Sequence, residues 1–167
     1  MVLILAYGNS LRRDDGAGFV LGDLVERMLS EAGFEDIRID SQQLEPELAL
    51  DISDDKVSSV LFIDTRVIPE TPNDDDLRVR FRRVESAKAS LAIGHYLSAS
   101  TLLTYAEYLF KKHPPAWLIT VPGIDFDHGE GLSEATLKAI DSAPEILREL
   151  IGILPMPPVR AKTSNVL

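Results

Sequence analysis

The chain has 167 residues, 45% of them hydrophobic, and a formal charge of -10, a length that suits one core and is short for two ordinary domains. The absence of cysteine excludes disulfides, thiolate catalysis and zinc sites built on Cys ligands. The acidic balance argues against a nucleic-acid surface, which needs Lys and Arg against phosphates, and no stretch approaches the ~20 apolar residues of a membrane span.

Val2 to Ala6 is short, apolar and closed by a turn at Gly8-Asn9, the pattern of a buried strand. No basic region precedes it, so neither secretion nor membrane insertion is expected and a cytoplasmic location fits. Ala17, Val20, Leu21, Leu24, Val25, Met28 and Leu29 then recur at helical spacing through about Ala32, with Gly33 as a natural stop. Asp36 to Asp40 is a second strand, and Pro46 suits the first turn of a helix running through about Ile52. Val57 to Ile63 has the few polar interruptions of a centre strand covered on both faces. This alternation predicts an α/β fold: a three-layer sandwich with a mostly parallel, about five-stranded sheet flanked by helices.

The acidic run Asp74-Asp75-Asp76 reads as a solvated loop. Leu77, Val79 and Phe81 alternate with Arg78, Arg80 and Arg82, which predicts an edge strand with one buried face and a charged solvent face. Leu97, Leu102, Leu103, Ala106, Leu109 and Phe110 mark a helix that ends before Pro114-Pro115, and Trp117 to Val121 supplies a further strand. Ser133 can cap a helix through Leu137, Ile140 and Ala143. Ser142-Ala143-Pro144-Glu145 has capping-box spacing, so the chain either kinks at Pro144 or begins a second helix through about Leu150. A single domain over residues 1–154 is expected, with 155–167 as a mobile tail.

Ligands of parallel α/β sheets gather beyond the carboxyl ends of the strands. Asp15, after the first strand, and Asp64, closing the run Val60-Leu61-Phe62-Ile63, belong at that edge; His95 joins them if its helix begins on the same side. Two ionised carboxylates held close repel unless a cation sits between them. Two oxygens and one imidazole suit a divalent first-row metal such as nickel or zinc, and ligand type alone does not choose between these. Each residue also has an ordinary reading, in which Asp caps a helix or closes a turn and His bonds backbone. Gly8, Gly16 and Gly18 lack the spacing of a nucleotide fingerprint and more simply permit tight turns. Asn9 can hold the loop through its amide, Ser98 and Ser100 read as capping hydroxyls, and His113 and His128 as loop residues, with Asp125, Asp127 and His128 in reserve as a cluster.

The run GNSLRRDDGAG at positions 8–18, the strand ending in Asp64, the isolated Gly94-His95 and the segment Pro122 to Leu132 together resemble the hydrogenase maturation endopeptidases over roughly residues 2 to 150. The resemblance implies a protease that removes the C-terminal peptide from the precursor of a nickel-containing hydrogenase large subunit after nickel insertion. It also implies that Asp15, Asp64 and His95 recognise the nickel, which the substrate carries and which is no resident cofactor. Asp15 replaces the Glu common at that position, and Asp14 is the neighbouring candidate. Gln43 and Glu45 lie in a segment that resembles the family's substrate-facing region and are candidate contacts. No separate catalytic nucleophile or base is identified, and a monomer is expected. Two further readings stand beside this one: a non-catalytic metal-binding or chaperone-like module on the same fold, and an unrelated α/β hydrolase acting on a small molecule.

Overall fold

A computed structural model describes residues 1–87 and 97–156, so His95 and residues 157–167 of the expected tail lie outside the described residues. The strands are β1 (Val2–Tyr7), β2 (Asp36–Ser41), β3 (Ser59–Val67), β4 (Arg80–Val84) and β5 (Ala116–Gly123). The helices are α1 (Ala17–Glu31), α2 (Leu48–Ile52), α3 (Ala99–Phe110), α4 (Glu134–Asp141) and α5 (Pro144–Ile153). The strands form one sheet in the order β2-β1-β3-β5-β4, parallel except for β4, which runs antiparallel to β5 at the edge. This is the mostly parallel α/β sheet that the alternation of elements predicts.

Period-2 alternation divides the core between the two faces of the sheet. Val2, Ile4, Leu61, Ile63, Trp117 and Ile119 pack with α1, α4 and α5. Leu3, Leu5, Val60, Phe62, Ala116 and Val84 pack with α2 and α3. Burying each of these large side chains contributes about 1.5–3 kcal/mol, which is why the central strands read as near-continuous apolar runs. The chain passes from β1 to β2 on one side and returns to β3 on the other, so the sheet order reverses between β1 and β3. At such a switch point the loops diverge and leave a crevice above the strand ends.

Four expectations change. Asp64 does not end its strand: β3 continues to Val67 paired with β5, while β1 stops pairing at Ala6 opposite Ile63. Asp64 is thus held inside a strand, level with Tyr7 at the end of β1, where the pairing of β1 with β3 has just stopped. Second, Leu77 and Arg78 precede β4, and the arginines do not form one solvent face. Arg80 binds Asp75 at 2.7 Å and Asp76 at 3.0 Å, which ties down the acidic loop expected to be merely solvated, and Arg83 lies 4.6 Å over the Trp117 ring. Third, Leu109 and Phe110 are exposed, because the last turn of α3 runs past its buried stripe of Leu102, Leu103 and Ala106. Fourth, Pro144 begins a separate helix, but no capping box forms: the Ser142 hydroxyl donates back to the Ala139 carbonyl at 3.0 Å.

Candidate active-site cleft

The loop after β1 is fixed from its own backbone outward. Leu11 N–H donates to the Asn9 side-chain oxygen at 2.9 Å, and Arg12 N–H to the Asn9 carbonyl at 3.0 Å, a side-chain turn of the kind Asn favours. Gly8 has φ +149°, and a Cβ on it would lie 2.0 Å from the Asp15 carbonyl oxygen. Only glycine lets the Asp15 backbone rest on the end of β1.

Asp14 and Asp15 part company here. Asp14 is fully buried, and its carboxylate accepts from Ile124 N–H at 2.9 Å, Asp125 N–H at 2.9 Å, Ser133 N–H at 2.7 Å and the Ser133 hydroxyl at 2.8 Å. Burial by itself would push this carboxyl up, but the four bonds together outweigh it and hold the pKa below the usual carboxylate value. The loop is latched further by Arg13 N–H to the Gly129 carbonyl at 3.0 Å, Gly129 N–H to the Leu11 carbonyl at 2.8 Å, and the Thr65 hydroxyl to the Asp14 carbonyl at 2.9 Å. Asp14 is therefore committed to joining the 9–16 loop to the 123–133 loop. Asp15 faces the cleft.

Asp64 shares its face of the sheet with Val60 and Phe62, and Tyr7 shares it with Leu3 and Leu5. Asp64 accepts from Thr65 N–H at 2.8 Å, and the Tyr7 hydroxyl is its polar neighbour. Burial, reinforced by the charge of Asp15, nevertheless pushes its pKa up to about 6 against the pull of the Thr65 N–H and the Tyr7 hydroxyl. Tyr7 is raised in turn, by burial first and by the adjacent Asp64, with Arg82 opposing. A cation between Asp15 and Asp64 would relieve this unfavourable charge.

Asp15 and Asp64 line a single cleft of about 680 Å³ together with Gln43 and Glu45. Leu97, Ser98, Ala99 and Ser100, which follow His95 in the sequence, line it too. Ser98 caps α3, its hydroxyl oxygen accepting from Thr101 N–H at 3.1 Å, so this serine has a structural task. Sequence reading missed Tyr7 and Arg82, both of which line the cleft. The signals were available: a polar tip closing an otherwise apolar first strand, and the placement of Arg82 two residues before the buried Val84.

The reserve cluster is otherwise engaged. Asp125 pairs with Arg13 and accepts from Asp127 N–H at 3.1 Å, while His128 and His113 are exposed. Among the described residues no three His, Cys, Asp or Glu side chains are grouped to hold a metal. Among them, too, no helix is long and apolar enough to cross a membrane.

No protein-family model matches the chain, and no curated protein is significantly similar to it. Solved structures are similar. The hydrogenase maturating endopeptidase HybD from E. coli superposes with a TM-score of 0.64 at 19% identity, covering 89% of this chain and 93% of that one. The NiFe hydrogenase maturation protease HybD from Thermococcus kodakarensis gives 0.58 at 22% identity, covering 90% and 98%. HycI from Thermococcus kodakarensis KOD1, also a NiFe hydrogenase maturation protease, gives 0.60 at 16% identity, covering 90% and 92%. The chain has the fold of these hydrogenase maturation proteases along nine-tenths of its length.

Proposed function

We propose that the protein is an endopeptidase that removes the C-terminal extension of a nickel-hydrogenase large subunit precursor once nickel has been inserted. The observation that carries this reading is the meeting of Asp15 and Asp64 in one cleft at the β1/β3 switch point, on a fold shared with hydrogenase maturation proteases. Nickel belongs to the substrate: Asp15, Asp64 and His95 recognise it and draw the scissile segment into the cleft. Three protein ligands leave positions open for groups that the precursor itself supplies. A metal so held can also polarise a neighbouring carbonyl.

Gln43 and Glu45, on the cleft wall ahead of α2, contact the substrate backbone in this reading. Tyr7, which lines the cleft beside Asp64, supports its orientation in this reading. The functional unit is the domain of residues 1–154, acting as a monomer in the cytoplasm, where nickel insertion takes place.

Incubation with a nickel-loaded large-subunit precursor from the same source should shorten the precursor at its C-terminus, read as a mass loss. The nickel-free precursor should stay intact. An unchanged mass for both would sink the proposal, and equal cleavage of both would remove nickel recognition from it.

A further inference from the structure

β4 contains three arginines, and two of them have structural partners: Arg80 bridges Asp75 and Asp76, and Arg83 lies over Trp117. Arg82 has neither kind of contact. Its nearest polar partner is the Arg83 carbonyl, to which Nη1 donates at 3.5 Å, the outer limit of a hydrogen bond. Among the described residues no carboxylate forms an ion pair with it. This guanidinium is exposed and lines the cleft that holds Asp15 and Asp64.

We infer that Arg82 is a specificity-determining residue that binds a carboxylate of the peptide substrate in this cleft; the inference rests on the peptidase reading above. Among the described residues the other charged side chains lining the cleft are Asp15, Glu45 and Asp64, so the Arg82 guanidinium is the positive charge among them, a planar fork of N–H donors suited to a carboxylate. Register sets the reach. Arg82 is paired to Leu118 of β5, and Leu118 to Phe62 of β3, so it stands two strand spacings, roughly 10 Å, across the sheet and two positions along the strand from Asp64. At about 3.3 Å per extended residue, that separation places the bound carboxylate some two to four residues from the nickel-bearing part of the substrate held at Asp64. Two sources supply such a group: an acidic side chain of the extension, or the free α-carboxylate at its end.

The test combines the nickel-loaded precursor with short synthetic peptides of its C-terminal extension, made as free acid, as C-terminal amide, and with Asp or Glu changed to Asn or Gln. Binding of the labelled free-acid peptide should weaken about tenfold in Arg82→Gln and recover in part in Arg82→Lys, which keeps the charge without the fork. With precursor, the same loss should fall on KM rather than kcat. If amidation abolishes the difference between the native protein and Arg82→Gln, the α-carboxylate is the ligand; if only side-chain neutralisation does, an acidic residue is. Equal binding of every peptide by the native protein and both variants overturns the inference, as does a loss that all peptides share alike or an absence of peptide binding by the native protein. Should Arg82→Gln fail to melt cooperatively, Arg82→Lys alone decides: a native-like Kd that ignores the peptide's charge overturns it. Intact precursor with Arg82-dependent peptide binding would reject the peptidase reading and leave the carboxylate site standing.

Discussion

Asp14 and Asp15 are neighbours in the chain with opposite surroundings: the Asp14 carboxylate is sealed under four hydrogen bonds, while Asp15 opens onto the cleft beside Asp64. The sealed residue fixes the open one. With Asp14 anchored to Ile124, Asp125 and Ser133, and Gly8 pressed under the Asp15 carbonyl, the turn has little freedom to move the second carboxylate.

Asp14→Ala strands four donors in a buried site and should destabilise the protein by about 3–5 kcal/mol. Asp15→Ala removes a cleft carboxylate without a buried partner and should cost less than about 1 kcal/mol. Urea unfolding of both variants checks this, and equal losses would contradict the division of labour. Because the Asp14 pKa is lowered in the folded state, its contribution is present above the ordinary carboxylate range and is lost as pH falls through the folded value.

Asp64 has the opposite sign. Its pKa is raised from 3.8 to about 6, so the folded protein holds this proton more tightly than the unfolded chain. The stabilisation is complete below pH 3.8 and is lost as pH rises to about 6, a change on the order of 2–3 kcal/mol. Asp64→Asn should therefore melt roughly 4–8 °C higher than the native protein at pH 8, with the gain vanishing at pH 4. The same variant should lose nickel-dependent processing. A variant that melts lower at pH 8 would show that the charge supports the fold, and full processing by it would remove Asp64 from nickel recognition.

In the proposed recognition, nickel displaces the Asp64 proton and meets a neutral imidazole at His95. Affinity should fall as pH drops through about 6 and through the imidazole range near ~6.5, where both groups take up protons. Calorimetric titration at several pH values measures it. An affinity that stays flat between about pH 8 and pH 5 would exclude both as principal ligands.

Gly8→Ala places a methyl group 2.0 Å from the Asp15 carbonyl oxygen at φ +149°. The loop must shift, at a cost of roughly 2–4 kcal/mol. Processing should fall further than the lost folded fraction explains, because the shift moves Asp15. Gly33→Ala, at φ +82° with no atom within 4 Å, is the control: it strains the end of α1 but should leave processing by the folded protein intact.

The sequence by itself determined the layered fold, because apolar periods of 3.6 and 2 and the Gly33 stop are local properties of the chain. They specify α1 and the buried strands without knowledge of neighbours. The same alternation put Asp15 and Asp64 on the carboxyl side of the sheet, where Gln43 and Glu45 also line the cleft. Tertiary structure decided what no local pattern contains. The longer reach of β3 over β1 left Asp64 inside a strand, and partners more than a hundred positions away buried Asp14 while leaving Asp15 open. The division among Arg80, Arg82 and Arg83 was likewise invisible, since an arginine's role follows from which carboxylate, ring or empty cleft the sheet register sets beside it.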